Sequence, residues 1–431
     1  MRRSLAAALL AGQGENRHPD GLSRHNPRSS QRHFVKSRPL QTPTRTIVFL
    51  AAASFASAAS VRICDPILPE IAHSYDTSIG NASAVITTFG GMYAAAQLLF
   101  GFVGDRYGKL ETIAVTTLLS VVSAMLCAFA PTLPLLIAAR LFAGFTAASI
   151  IPLSMAWIGD EVPYERRQPV IARFLFGQIL GLTLGQAISG FAAEHIGWRS
   201  IFYVLAGCFL VSGLALAREL LHREEFYEPK PAGMGESFRQ LGRMLRKGWV
   251  WVVFATVFLE GAAIFGGNAF IGSYLRLQFN VSYDVIGLIV SGFGIGGLVF
   301  VLFAPAIVRR LHEEGLVLFG GIFLAVSFFG MTVLPGPFAA VPLTVLSGLG
   351  FYMLHNTLQT NATQMAPESR SLAVSCFATC LFLGQAAGVS AAAPAFDYAG
   401  AIPLFIGSGL ILLVLGVAFR FALRRKSWTS G

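Results

Sequence analysis

The chain has 431 residues, of which 54% are hydrophobic and only 13% are charged. Soluble domains carry about 25% charged residues, so this composition excludes an ordinary soluble protein. The net charge of +10 does not indicate a nucleic-acid partner, because the basic residues are confined to particular loops and tails.

Apolar segments long enough to cross about 30 Å of hydrocarbon as helices recur along the chain. Transmembrane β-strands would alternate in polarity over about ten residues, and these segments do not. The sequence therefore predicts an all-α polytopic membrane protein with twelve transmembrane helices. The predicted spans are 46–68, 83–104, 111–130, 133–158, 169–192, 198–217, 249–273, 284–306, 316–334, 338–362, 371–394 and 399–420.

The basic residues predict the orientation of these spans. Residues 1–45, which read as a disordered tail, contain nine of them, and 27 of the 32 Lys and Arg residues lie in the two tails and in alternate loops. The intervening loops contain only Arg199 and Arg276. By the positive-inside rule, both termini are expected on the cytoplasmic side. The membrane is expected to be a bacterial plasma membrane.

The first span ends in a charged pair. Arg62 and Asp65 are three residues apart and therefore share a helix face. One interpretation is an interfacial ion pair that fixes the helix end, and the other is an outer gate or a proton site at Asp65.

A charged, glycine-rich hairpin joins the second and third spans. It consists of Gly101, Gly104, Asp105, Arg106, Gly108 and Lys109. Gly108 is expected at the turn, where a positive φ is cheap only for glycine.

The pattern of this hairpin resembles the signature loop of the major facilitator superfamily, a family of secondary transporters. The resemblance implies two six-helix halves that alternate access and a loop whose acid and bases latch the outward-facing state. A purely topogenic loop is the alternative.

Two further segments resemble the same family. Arg140 and Gly144 match its fourth-helix motif, whose arginine is associated with proton coupling; the alternative is a buried cation paired with a carboxylate such as Asp65. Gly177, Gly181 and Gly185 form a helix-packing ladder that resembles the fifth-helix motif of its antiporters, although Gln186 stands where those have proline.

An internal repeat divides the chain. Gly144 and Gly348 are 204 residues apart, as are Pro163 and Pro367. The predicted organisation is a six-helix bundle over 46–217, a cytoplasmic linker over 218–248, a second bundle over 249–420 and a tail over 421–431. Parallel repeats of this kind place a substrate site near the membrane midplane.

Glu260 is the strongest candidate for proton coupling in the membrane. It lies 11 residues, or about 16 Å, into its helix, close to the bilayer centre. Ionisable groups at this depth default to functional hypotheses, and the nearby Gly266, Gly267 and Asn268 suggest a helix that bends around a ligand. A carboxyl hydrogen-bonded between helices, without a role in coupling, is the alternative.

Polar side chains on other helices are candidates for a substrate cavity, although a lone histidine is often a satisfied structural group. They are Asn268, His355, Asn356, Gln359, Gln178 and Gln385.

Within the family, the chain resembles the bacterial drug and sugar efflux type, twelve-helix proton antiporters. This resemblance implies a monomeric, proton-coupled exporter of a small amphipathic molecule, with protons and the lipid bilayer as its other partners. No cofactor or metal is expected, because the five cysteines fall inside predicted helices without metal-ligand spacing and the proton gradient supplies the energy. No nucleophile–base pair suggests an enzyme. A symporter or uniporter that imports a nutrient, or a receptor or scaffold on the same fold, remains an alternative.

Overall fold

The computed structural model describes residues 44–222, 234–366 and 370–429. Predicted features in residues 1–43, 223–233, 367–369 and 430–431, which include most of the N-terminal tail, part of the linker and Pro367, lie outside the described residues. The helices are α1 Thr44–Arg62, α2 Leu68–Ser74, α3 Ile79–Ala82, α4 Ala84–Tyr107, α5 Lys109–Phe129, α6 Leu133–Ala147, α7 Ile150–Glu161, α8 Tyr164–His195, α9 Ser200–Leu221, α10 Met234–Leu245, α11 Gly248–Asn268, α12 Ile271–Phe279, α13 Tyr283–Met331, α14 Ala340–Met365, α15 Arg370–Ala399 and α16 Ala401–Thr429.

Within the described residues, eleven helical segments are long and apolar enough to cross a membrane. One of them, α13, has 49 residues, and a straight helix of that length would extend about 74 Å. It contains a sharp kink at His312, where φ is +53° and ψ is 179°. The two arms of α13 therefore cross separately, which gives twelve crossings and confirms the predicted twelve-helix, all-α fold.

An even number of crossings places the two ends of the described chain on the same side of the bundle. We call this side the terminal face and the opposite side the distal face. The α4–α5 turn lies on the terminal face, and Gly108 makes it with φ at +96°. His312 lies 204 residues after Gly108, the shift that also separates Gly144 from Gly348, and its kink makes the equivalent turn of the second six helices.

Close backbone contacts within the first six spans recur within the second six. A Cβ atom at Gly181 on α8 would overlap the carbonyl oxygen of Phe55 on α1. In the same way, a Cβ atom at Gly384 on α15 would overlap the carbonyl oxygen of Phe258 on α11. Gly181 and Gly384 are 203 residues apart, and so are Phe55 and Phe258. This repeated contact confirms the two six-helix pseudo-repeats.

A second contact of this kind joins α4 to α6 and repeats between α13 and α14. A side chain at Gly144 would collide with the backbone of Phe89, and one at Gly348 with the backbone of Phe293. The repeat first recognised from Gly144 and Gly348 in the sequence is therefore a repeated helix crossing. The rest of the predicted ladder packs on α1, with Gly185 close to Ala59 and Gly177 in ordinary contact with Ala51.

The two halves meet along α8 with α13 and along α4 with α15. Near the distal face, Gly190 and Gly287 allow α8 and α13 to approach at backbone distance. Further inside, Gly90 of α4 lies against the side chain of Gln385 on α15. The helices of the two halves therefore approach each other closely at positions occupied by small residues.

We expect Gly384→Ala to destabilise the protein by about 1–3 kcal/mol, because the added methyl group must displace the backbone of α11. Gly207→Ala is the matched control, since nothing lies within 4 Å of the position that its Cβ would take on α9. The measurement is the apparent unfolding temperature of purified protein in detergent. Equal temperatures for the two variants would contradict the proposed packing.

Candidate functional site

Glu260 and His355, predicted separately, form one pair between α11 and α14. The Nδ1 atom of His355 lies 2.9 Å from the Oε2 atom of Glu260. Glu260 is fully buried, and 15% of the His355 side chain is exposed. Glu260 lies about 18 Å along the helix axis from the start of α11, which places it in the central layer of the bundle.

Aromatic rings surround the imidazole of this pair. Phe351 stacks on the His355 ring with a centroid distance of 4.9 Å and an interplanar angle of 19°, and Phe377 lies 5.2 Å away. The second carboxylate oxygen of Glu260 has no protein hydrogen-bond partner among the described residues. A buried charge in such surroundings depends on its one partner, so loss of a proton from the pair would leave an uncompensated carboxylate.

A second charged pair lies nearer the distal face. The Nη1 atom of Arg62, at the end of α1, is 3.1 Å from the Oδ2 atom of Asp65, and both side chains are almost fully buried. The guanidinium carbon of Arg62 lies 3.7 Å from the ring centroid of Phe265, which belongs to α11 of the other half. The pair therefore holds a cation of one half against an aromatic ring of the other.

A small cavity adjoins this pair between the two halves. Its polar lining includes Arg62, Asp65 and Gln186 from the first half and Asn268 and Thr344 from the second. It has room for about one water molecule. The described residues offer no hydrogen-bond partner to Arg62 Nη2, Asp65 Oδ1 or Gln186 Oε1.

The cavity lies where the repeat brings equivalent residues together. Asn268 is the repeat counterpart of Asp65, and both line the cavity. Phe265 is likewise the repeat counterpart of Arg62, which contacts it. Such contacts occur only near the pseudo-twofold axis that relates the halves. The α11 helix ends at Asn268, and α12 restarts at Ile271, so the interruption that the glycines suggested occurs beside this cavity.

Arg140 does not pair with Asp65, which was one sequence interpretation. Its Nε atom donates to the carbonyl of Val85 at 3.2 Å and its Nη2 atom to the carbonyl of Ser60 at 3.1 Å. The guanidinium also lies 4.1 Å from the centroid of Phe89. Asp65 forms its ion pair with Arg62. Arg140 instead connects α6 to α1 and α4 through its hydrogen bonds to Ser60 and Val85.

The glycine-rich hairpin lies on the terminal face. The Nζ atom of Lys109 is 3.6 Å from Asp105 and 2.5 Å from Asp160, at the end of α7. Arg106 lies beside Tyr107, with 5.4 Å between the guanidinium carbon and the ring centroid. Asp160 was not among the predicted site residues, and the sequence signals it only by its place in the predicted loop that follows the fourth span.

The other predicted hairpin and cavity residues are not brought into one cluster. Gly104 packs against Leu153, with 2.7 Å between its ideal Cβ position and a methyl carbon, whereas the position at Gly101 is open. Asn356 and Gln178 are half-buried and Gln359 is exposed. Gln385 is fully buried, and neither atom of its amide has a hydrogen-bond partner among the described residues.

The sequence profile of the Major Facilitator Superfamily matches this chain over residues 50–389 and 270–431. The chain belongs to the major facilitator superfamily. Its two six-helix halves and the helix crossings that recur from one half to the other agree with this membership.

Similar proteins include a named exporter. The chain is 30% identical over 155 residues to the multidrug export protein EmrB of Haemophilus influenzae, a match that covers 36% of this chain and 30% of EmrB. It is 24% identical over 276 residues to YwfA of Bacillus subtilis, described as an uncharacterised transporter of this type, covering 62% of this chain and 65% of YwfA. The chain thus matches less than two thirds of either relative.

A solved structure supports the fold. A bacterial homologue of the human lysosomal transporter Spinster, in an inward-facing conformation, superposes with a TM-score of 0.69. The superposition covers 89% of this chain and 98% of the homologue, at 17% sequence identity. This likeness shows a shared architecture for the two chains.

We expect the Arg62–Asp65 pair to show strong non-additivity. Arg62→Met or Asp65→Leu alone leaves one buried charge without its partner and should cost about 3–5 kcal/mol. The double variant leaves neither charge and should lose less stability than either single variant. Apparent unfolding temperatures of the three variants check this; losses that simply add would contradict the buried pair.

Proposed function

We propose that this protein is a proton-coupled exporter of small amphipathic molecules that works by alternating access. The observation that carries the proposal is the buried Glu260–His355 pair in the middle of the second half. The family membership supports transport as the activity, and the pair would supply a group that binds and releases a proton inside the membrane.

The pair can hold a proton in two neutral arrangements. The proton lies on the imidazole, giving an ion pair, or on the carboxyl, giving two uncharged groups. Release of that proton leaves a negative charge in an apolar layer, which is costly unless another positive group approaches. Competition between a proton and a substrate for the same carboxylate is the simplest basis for exchange in opposite directions.

Export is supported by the functions for which similar proteins are named. EmrB is a multidrug export protein, and a protein of Aspergillus flavus that is 30% identical over 164 residues is a probable efflux pump. A carboxylate set among aromatic rings favours substrates that combine an apolar body with a positive group. We therefore propose amphipathic cations as the first substrate class to test.

We further propose that the terminal face is cytoplasmic, that the chain lies in the plasma membrane as a monomer, and that it catalyses no chemical reaction. The support for the orientation is the position of basic residues such as Arg106, Lys109, Arg309 and Arg424, which lie at that face. The Arg62–Asp65 pair and its cavity then lie towards the outside, where we assign them to the outer gate.

Glu260→Gln should abolish transport driven by a pH gradient, because the amide can no longer exchange a proton, while substrate exchange without a gradient persists. Glu314→Gln is the matched control, since Glu314 pairs with Arg424 and Arg420 at the terminal face. The measurement is the flux of fluorescent amphipathic cations in proteoliposomes, with substrates chosen by a resistance screen in an efflux-deficient host. Full gradient-driven transport by Glu260→Gln would refute the assignment.

The direction of coupling is checked in the same proteoliposomes by the pH change that substrate alone produces. An exporter that exchanges substrate for protons should release protons on the side from which substrate is taken up. Uptake of protons together with substrate would instead establish a symporter, and no pH change would establish a uniporter.

The orientation makes a separate prediction. A green fluorescent protein fused after residue 429 should fluoresce, and an alkaline phosphatase fused there should be inactive, because the former folds in the cytoplasm and the latter outside it. The opposite pair of results would place the terminal face outside.

A further inference from the structure

Two hydrogen bonds join the halves at the distal face. The backbone N–H of Gly80, at the start of the span Ile79–Tyr107 that α3 and α4 form together, donates to Asp397 Oδ1 near the end of α15 at 2.8 Å. The backbone N–H of Tyr283, the first residue of α13, donates to Glu194 Oε2 near the end of α8, also at 2.8 Å. Each half therefore provides one carboxylate and one start of a membrane span.

These two contacts are copies of each other under the internal repeat. Gly80 and Tyr283 are 203 residues apart, and so are Glu194 and Asp397. The same shift relates the glycine crossing at Gly181 to the one at Gly384. The contacts thus have the reciprocal form of an interface with twofold symmetry, in which each side offers the other the same pair of groups.

The chemistry of both contacts favours a carboxylate. The first N–H groups of a helix have no partner within the helix, and the helix dipole makes this end attractive to negative charge. Gly80 and Tyr283 are buried, whereas Asp397 and Glu194 are exposed and lie over them. A carboxylate from the opposite half can therefore satisfy the helix start only while the halves are closed at this face.

The absence of a side chain at Gly80 leaves the space that the Asp397 carboxylate occupies. A Cβ atom at this position would overlap Asp397 Oδ2 and would lie 2.7 Å from the carbonyl oxygen of Ala393. Glycine therefore lets α15 and its carboxylate reach the backbone of α3. On the other side of the bundle, Gly190 and Gly287 provide the same close approach between α8 and α13.

We propose that Glu194 and Asp397 are gate residues, which together form a symmetric latch that holds the distal face closed. Opening that face separates each carboxylate from the helix start of the other half, and water must then replace both partners. The proposal rests on the movement of the halves and is independent of proton coupling at Glu260.

The latch is tested by the distance between the halves at the distal face. In a full-length protein whose native cysteines Cys64, Cys127, Cys208, Cys376 and Cys380 are replaced, spin labels at Thr132→Cys and Gly336→Cys report this distance. These loop positions lie at the distal ends of the two halves and are 204 residues apart. Double electron–electron resonance gives the distribution of distances between the two labels, and from it the ratio of molecules with an open distal face to molecules with a closed one.

Asp397→Asn and Glu194→Gln should each raise the open-to-closed ratio roughly threefold, as expected for a charge at an exposed helix end, and the double variant roughly tenfold. Asp76→Asn is the matched control. Asp76 is an exposed distal residue with φ at +48°, a conformation that asparagine also adopts readily. It should leave the ratio unchanged.

Gly80→Ala tests the latch from the opposite half. Its methyl group would displace the Asp397 carboxylate and should open the distal face as Asp397→Asn does, with little further effect when the two are combined. The proposal is overturned if the latch variants give the distance distribution of Asp76→Asn while eluting as monodisperse protein. It is also overturned if only one of the two carboxylates matters, because the symmetry would then have no functional meaning.

Discussion

The cost of a charged side chain inside an apolar bundle is the constraint on which the rest of this structure depends. Glu260, Asp65, Arg62 and Arg140 are all almost fully buried. Arg140 meets the cost by donating hydrogen bonds to the backbone carbonyls of Val85 and Ser60. Glu260 meets it with the imidazole of His355, 2.9 Å away. The proposed proton coupling is based on this second arrangement, because carboxyl and imidazole groups both bind and release protons.

Close helix crossings hold each half together internally, and we therefore place the proposed movement between the halves. At Gly181 and Gly384, helices approach so closely that no side chain fits between them, and packed interfaces of this kind are not continuously deformable. The contacts between the halves include close glycine packing at Gly190 and Gly287, but they also include groups of another type. These are hydrogen bonds at the distal face, a cation over the ring of Phe265 and a small polar cavity, whose polar groups water can solvate when the halves separate.

The sequence predicts what depends on local spacing and misses what depends on the register of distant helices. Hydrocarbon thickness sets the length of each span. The three-residue spacing of Arg62 and Asp65 predicted that they meet, although α1 ends at Arg62 and Asp65 lies in the turn that follows it. Glu260 and His355 are 95 residues apart, and no local pattern indicates which turn of α14 faces α11. For the same reason Asp160 escaped notice, although Lys109, its partner, belongs to the recognised hairpin.

The distal contacts show how symmetry persists while side chains diverge. The donors at Gly80 and Tyr283 are backbone groups, which no ordinary substitution removes, so that only the two carboxylates need to be retained. Next to one of them, His195 lies 3.6 Å from Asp284. The equivalent positions in the other half are Tyr398 and Asn81, which cannot form an ion pair. The closed state thus rests on a symmetric pair of backbone contacts, and the asymmetric charges around them are free to adjust how readily each half of the latch opens.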